Sequence, residues 1–319
     1  MITAVASGLE TLARDYILNC EVEGKSPKTI AIYGMVIRNF IWYCRKNDFP
    51  EAHELTAMHI RKFIFYLMTE TNRWGIDSPA TRKPVSKTTI NDYFRALRCF
   101  FNWLEREDHI SGNAFNSIRT PRADDKVIEP LDENEMSGLL SHCSRNTVLN
   151  VRDKAIVSVL LDCGLRISEL ANLTTNDIDF ETGAISIRNG KGGKQRIVCL
   201  GKTALYALRK YVIYYRKCET DRVFASRSGE PLEIGGIEIL IRRLGQKAKI
   251  KIHPHKLRHT YAITYLRNGG DVFSLKYILG HSTLHMTMRY LQSLDASDAA
   301  KAQRKFSPLD NLDKRQHEK

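Results

Sequence analysis

The feature that most limits how the first third of this chain can fold is an internal repeat. The stretch "SPKTIAIYGMVIRNFIWYCRKND" at 26–48 aligns without a gap on "SKTTINDYFRALRCFFNWLERED" at 86–108, sharing Ser, Thr, Ile, Tyr, Arg, Phe and Asp at matching places. Each copy opens on a Ser/Thr-rich helix start and carries apolar residues at helical spacing, as in Ile90, Phe94, Leu97, Phe101 and Leu104. Two more amphipathic stretches lie at 5–21 and 56–69. Four such helices can bury their stripes only against one another, so residues 1–116 are expected to form a helical bundle. An old duplication and two helices under one packing rule would both leave this pattern.

A chain of 319 residues exceeds the usual single core, so a second domain is expected. The segment "SIRTPRADDKVIEP" at 117–130 has two prolines, mixed charge and little periodicity, and reads as a linker. Beyond it, "LDENEMSGLL" and "VRDKAIVSVLLDCG" read as helices. "GAISIRNGKGGKQRIVCL" at 183–200 reads as two strands around a Lys-Gly-Gly-Lys turn, and helical signals resume after residue 202. The expected fold is mainly α with a small β-hairpin: a helical bundle, then an α+β domain over 131–305, then a polar tail at 306–319.

Charge separates the two halves. Residues 1–130 hold 18 Lys and Arg against 16 Asp and Glu, whereas 131–319 hold 31 against 20, and 181–290 alone hold 21 against 7. The excess suits a polyanionic partner and lies in the second domain. The seven cysteines form no CxxC pair and mostly fall in apolar contexts, so they read as reduced core residues and not as a zinc site or disulfide frame. No stretch approaches the roughly 20 apolar residues of a membrane span, and no basic-then-apolar leader opens the chain, so a cytoplasmic location with no membrane partner is expected.

Four stretches carry candidate chemistry. In "IHPHKLRHTYAITYLRNGG" at 252–270, Pro254 suits a first helical position, which puts His255, Arg258 and His259 in the first turns of a helix. His255 and Arg258 share a face suited to a phosphate oxygen. His253, His255 and His259 could instead hold a metal, although no Glu sits between the histidines and a Lys and an Arg crowd them. A capped helix with surface histidines is the plain alternative. In "CGLRISELANL", Arg166 follows a helix-ending Gly and by itself could merely cap carbonyls. Lys191 and Lys194 flank the hairpin glycines, and Tyr290 alone would be a core edge.

Taken together these residues fit one reaction. A tyrosine oxygen attacking a phosphodiester needs two arginines on the non-bridging oxygens, help in losing a proton of pKa about 10, and a donor for the departing oxygen. The motifs "GLRISEL", "GKGGK", "HKLRH", "LGH" and the Tyr nine residues later occur in the order seen in the tyrosine recombinases, or phage integrase family, and the chain resembles that family most strongly over about 130–300. Arg166, Lys191, His255, Arg258, His281 and Tyr290 match it at all six positions. The first domain resembles the family's SAM-like core-binding domain in pattern.

The resemblance implies a two-domain clamp on double-stranded DNA carrying a specific recombination site. The protein would be a monomer in solution and a homotetramer on DNA. Cleavage would leave a 3′-phosphotyrosine and a free 5′-hydroxyl, with no cofactor, metal or ATP. Arg166 and Arg258 would hold the phosphate, Lys191 would protonate the leaving oxygen, His255 would serve Tyr290 as acid/base, and His281 would donate to the phosphate. A break at Gly280 would aim His281, and a helix from about Thr283 would return Tyr290 to the same phosphorus. Expected phosphate contacts are Lys194, Arg196, Arg242, Arg243 and Lys256, with Lys87 and Arg95 in the first domain. The alternatives are a DNA-binding or architectural protein on the same scaffold that does not cut, and a type IB topoisomerase-like enzyme.

Overall fold

A computed structural model of the chain describes residues 2–75, 81–120, 129–188 and 195–306. Two compact units divide it, 1–126 and 127–319. No helix among the described residues is long and apolar enough to cross a membrane.

The first unit is built from α1 (Ile2–Val22), α2 (Pro27–Lys46), α3 (Ala57–Thr69) and α4 (Lys87–Arg106). The two repeat copies are α2 and α4, and their starts are the same device. Ser26 Oγ accepts from the Thr29 amide and Ser86 Oγ from the Thr89 amide, each at 3.2 Å, which satisfies a donor that the helix leaves unpaired. Ile90, Phe94, Leu97, Phe101 and Leu104 are all buried. They meet Phe40, Phe63 and Phe115 in an aromatic core where Phe40 and Phe63 pack edge to face at 5.1 Å.

The second unit contains α5 (Glu133–Ser141), α6 (Val148–Cys163), α7 (Ile167–Ala171), β1 (Ala184–Ile187), β2 (Arg196–Cys199), α8 (Lys202–Lys210), α9 (Ile234–Ala248), α10 (Pro254–Arg267), α11 (Val272–Leu279), α12 (His285–Met288) and α13 (Ala296–Lys305). A π-helical turn, Tyr211–Tyr215, continues α8. Helix α6 runs through the core with Ala155, Ile156, Val157, Val159 and Leu160 buried. A smaller cluster joins Ala262, Ile263 and Leu266 of α10 to Leu275 and Leu279 of α11 and to Tyr290.

Strands β1 and β2 pair antiparallel, Ile185 opposite Val198 and Ile187 opposite Arg196, and all four side chains face inward. This corrects the expectation for Arg196. Because side chains alternate along a strand, it shares the buried face with Val198 and is 5% exposed, so it is not a surface phosphate contact. The turn of this hairpin, with Lys191 and Lys194, lies outside the described residues, as do most of the expected linker and the tail beyond residue 306. Cys20, Cys44, Cys143 and Cys163 are core residues, whereas Cys99 and Cys199 are exposed on the solvent sides of α4 and β2.

Candidate active site

The C-terminus of α11 organises the site. Its last carbonyls have no partner within the helix and carry the negative end of its dipole. Three arginines from three other segments take them in turn: Arg196 Nε donates to Ile278 O at 2.6 Å, Arg258 Nη2 to Leu279 O at 2.7 Å and Arg166 Nη2 to Gly280 O at 2.7 Å. Gly280 ends the helix at φ 63, and a Cβ there would stand 3.0 Å from Arg196 Nη1. The glycine therefore permits both the turn and the close approach of the guanidinium groups.

Arg166 enters from the end of α6. Gly164 closes that helix at φ 58, where a Cβ would lie 2.4 Å from the Tyr261 ring, and Arg166 then caps α7. Glu169 fixes it twice, accepting from the Arg166 amide at 2.8 Å and from Nη1 at 2.7 Å. The same carboxylate accepts from Arg196 Nη1 and Nη2 at 2.9 and 2.8 Å. Burial pushes the Glu169 carboxyl up, but the bonds from Arg196 and Arg166 outweigh it and hold the group below its ordinary value. Arg258, also buried, donates from Nη1 to Gly164 O at 2.6 Å. Burial and the nearby Arg166 pull its pKa down to about 10, so it stays charged at neutral pH. A guanidinium has five N–H donors, and these bonds occupy only part of either fork.

His281 follows the turn at Gly280. Its Nε2 is 3.1 Å from Arg258 Nη2 and its Nδ1 is 2.9 Å from Thr287 Oγ1. Arginine can only donate, so Nε2 is the unprotonated nitrogen and Nδ1–H donates to the threonine. Tyr290 stacks on His281 with centroids 6.2 Å apart, and its hydroxyl lies 3.1 Å from His259 Nδ1. The tyrosine is 2% exposed. Burial raises its pKa, and the charges of Arg258 and Arg289 work against that rise. His281 is pushed down to about 4 by burial and by Arg258, and His259 to about 4 by burial and by Arg289.

Arg166, Arg258, His281 and Tyr290 thus converge. The helix expected from Thr283 is a single turn at His285–Met288, and Tyr290 lies in the turn after it. His255 is in the first turn of α10, exposed, its ring facing His259 at 6.1 Å. Burial and Arg258 lower its pKa. Arg242, Lys87 and Arg95 are exposed, Lys256 is half-buried, and Arg243 is exposed with one nitrogen 2.8 Å from Asp153. Reasoning from sequence gave no role to Glu169 or Thr287 and considered His259 only as a metal ligand. A Glu three residues into a helix start was the available signal for Glu169.

The described residues contain no group of three or more His, Cys, Asp or Glu placed to hold a metal. The carboxylate at the centre is taken up by two arginines, which leaves a cationic, imidazole-lined site beside a phenol. That inventory fits a phosphate oxyanion as ligand and a phenolic oxygen as nucleophile.

Known proteins resemble the chain over both units. Residues 129–297 match the phage integrase family and residues 12–110 match the phage integrase N-terminal SAM-like domain. Tyrosine recombinase XerC of Oceanobacillus iheyensis is 30% identical over 274 residues, covering 83% of this chain and 85% of that protein. The crystal structure of XerA recombinase is 29% identical with a TM-score of 0.51, covering 93% of this chain and 99% of that one. XerH recombinase bound to a palindromic difH substrate, in a post-cleavage complex, shares the fold with a TM-score of 0.69 at 19% identity over 96% of this chain and 85% of that one.

Proposed function

The chain belongs to the phage integrase family and is a tyrosine site-specific recombinase, and on that premise we propose that it cuts double-stranded DNA with Tyr290. The observation that carries this reading is the meeting of Tyr290, His281 and Arg258, where the tyrosine ring lies on the imidazole and the imidazole takes a hydrogen bond from the guanidinium. Residues 1–116 serve as the core-DNA-binding domain and 131–305 as the catalytic domain, joined by 117–130. Lys194, Arg242, Arg243, Lys256, Lys87 and Arg95 contact backbone phosphates. The protein acts in the cytoplasm, as a monomer in solution that assembles four copies on two sites.

In the cleavage step the Tyr290 oxygen bonds to phosphorus as the bond from phosphorus to the 5′-oxygen breaks. The tyrosine gives up its proton and the 5′-oxygen gains one, with Lys191 as the donor to that oxygen; the family resemblance gives the acid/base role for the tyrosine to His255. Arg166 and Arg258 take the charge that develops on the non-bridging oxygens, which preorganised donors stabilise far better than water can. His281 must change its bonding to join them, because its Nε2 now accepts from Arg258. An incoming phosphate favours that change by adding the negative charge that protonation requires. One phosphodiester replaces another, so the 5′-hydroxyl of a second strand can reverse the reaction without ATP.

The test is a duplex carrying the recombination site, nicked beside the cleavage position and incubated in EDTA. Wild type should leave protein covalently joined to the DNA after denaturation, and Tyr290→Phe should bind the duplex with similar affinity yet leave none. A covalent product from Tyr290→Phe would remove Tyr290 as nucleophile, and abolition by EDTA of the wild-type product would restore a metal.

A further inference from the structure

The family resemblance places the proton chemistry of the nucleophile on His255, but the contacts of Tyr290 point one helical turn further along α10. Among the described residues, the ring nitrogen within hydrogen-bond distance of the Tyr290 hydroxyl is His259 Nδ1, at 3.1 Å, and the two rings lie 5.5 Å apart, tilted by 56°. His255 stands at the solvent side of this pair, stacked on His259 and not on Tyr290. We propose that His259 is a catalytic residue of the cleavage step, the group that aligns the Tyr290 oxygen and accepts its proton as that oxygen bonds to phosphorus.

The burial of Tyr290 favours transfer from its hydroxyl to the imidazole. Tyr290 is buried with Leu275 and Leu279, so its hydroxyl needs a hydrogen-bond acceptor within the protein. His259 supplies one if its proton is on Nε2, and a neutral imidazole of that tautomer is ready to receive a second proton at Nδ1. In balance, the Oη–H bond breaks and Nδ1–H forms, Oη–P forms and P–O5′ breaks, and the 5′-oxygen takes its proton from a separate donor. Religation returns the proton from Nδ1 to Tyr290.

The surroundings keep this base inactive until substrate arrives. Facing His259 are His255 and Arg258 on its own helix, His253 at the helix cap, and Arg289 and Tyr290 from the segment after α12. Burial, Arg289 and the other cations together favour neutral imidazole in the DNA-free protein. A phosphodiester seated on Arg166 and Arg258 brings the first uncompensated negative charge to the cluster. It offsets those cations and makes an imidazolium at position 259 accessible when the proton has to move.

This inference rests on Tyr290 being the nucleophile, and the experiment separates the two claims. His259→Asn keeps a carbonyl oxygen close to where Nδ1 stood, so Tyr290 is still aligned, but an amide cannot take up a proton. On the nicked duplex at pH 7, His259→Asn should form covalent complex about a hundredfold more slowly than wild type, the scale of one lost general base. Its DNA affinity should stay within about twofold, since DNA contacts elsewhere dominate it. The lost rate should return with pH, by about tenfold per unit, as Tyr290 ionises unaided below its pKa. A substrate with sulfur at the 5′ leaving position needs no proton there, so the defect should persist on it. A rate within about threefold of wild type with an unchanged pH profile, or full rescue by the sulfur substrate, would overturn the role of His259. A covalent product from Tyr290→Phe would instead overturn the nucleophile. Should His259→Asn fail to fold, the side-chain nitrogen NMR of wild type decides: Nε2–H on His259 is expected, and Nδ1–H would overturn the proposal.

Discussion

Arg258 donates to His281, Nη2 to Nε2 at 3.1 Å, and so fixes the tautomer of a histidine 23 positions later in the chain. The other nitrogen of that ring donates to Thr287, which is fully buried. The ring proposed to reach the phosphate is therefore held between a guanidinium and a hydroxyl. Removing the hydroxyl without changing the shape, as in Thr287→Val, leaves Nδ1–H unpaired in a buried place, at about 1–3 kcal/mol. Cleavage of the nicked duplex should fall by roughly tenfold or more while DNA affinity holds, and Thr287→Ser should recover most of the rate. Equal rates for the valine and serine variants would show that Thr287 only fills space.

Arg196 was expected to face DNA and instead lies under the site, paired through both nitrogens with Glu169. Its two roles separate by salt. A phosphate contact contributes to the slope of log affinity against log salt, whereas a buried strut does not. Arg196→Ala should leave that slope unchanged, lower the melting temperature, and slow cleavage because Glu169 loses the partner that sets its angle toward Arg166. Glu169→Gln should be worse for stability, since two guanidinium groups lose their shared counter-charge. Breaking such a buried pair costs about 3–5 kcal/mol.

Acid should destabilise the DNA-free protein earlier than its carboxylates alone would. His259 and His281 are both held to about 4 in the folded state, by burial first and then by Arg289 and Arg258 respectively. Unfolded histidine titrates near 6.5, so between the two values the unfolded chain binds more protons and stability rises with pH. The contribution is present above about pH 6.5 and is lost as pH falls through 4. Glu169, held below its ordinary value, adds a loss at lower pH still. Thermal melts at pH 7, 6, 5 and 4.5 should decline steadily, and no decline between pH 7 and 5 would mean that both rings are solvated.

Periodicity and capping chemistry made the first unit readable: Ser26 and Ser86 announce α2 and α4, and the apolar spacing of α4 gives its buried face. The order of Arg166, His255, Arg258, His281 and Tyr290 was legible because Gly164, Pro254 and Gly280 mark local breaks beside Arg166, His255 and His281, with Arg258 and Tyr290 three and nine residues after the two histidines. What was hidden depends on packing between segments. Nothing in "HKLRH" says that Tyr290 would reach His259 and not His255, since one ring is left exposed and the other half-buried only once the segment carrying Tyr290 is docked on α10. Arg196 was misplaced for a simpler reason. "RIVC" alternates, and a period of two already put the arginine on the side of Val198.

Gly280 joins these threads. It holds φ 63, a conformation costing a residue with a Cβ about 1–2 kcal/mol, and a methyl group there would meet Arg196 Nη1 at 3.0 Å and Arg166 Nη1 at 3.3 Å. Both contacts are with guanidinium nitrogens that already grip Glu169, so they can yield only by loosening that grip. Gly280→Ala should therefore lower cleavage more than stability: a drop in melting temperature of a few degrees, as about 1–2 kcal/mol gives in a domain of this size, against a loss of roughly a hundredfold in single-turnover rate, as when one preorganised donor is displaced. Paired melts and cleavage time courses decide it. If rate and stability fall only in proportion, the glycine serves the helix end alone; a larger loss of rate would locate its effect in the alignment of Arg166.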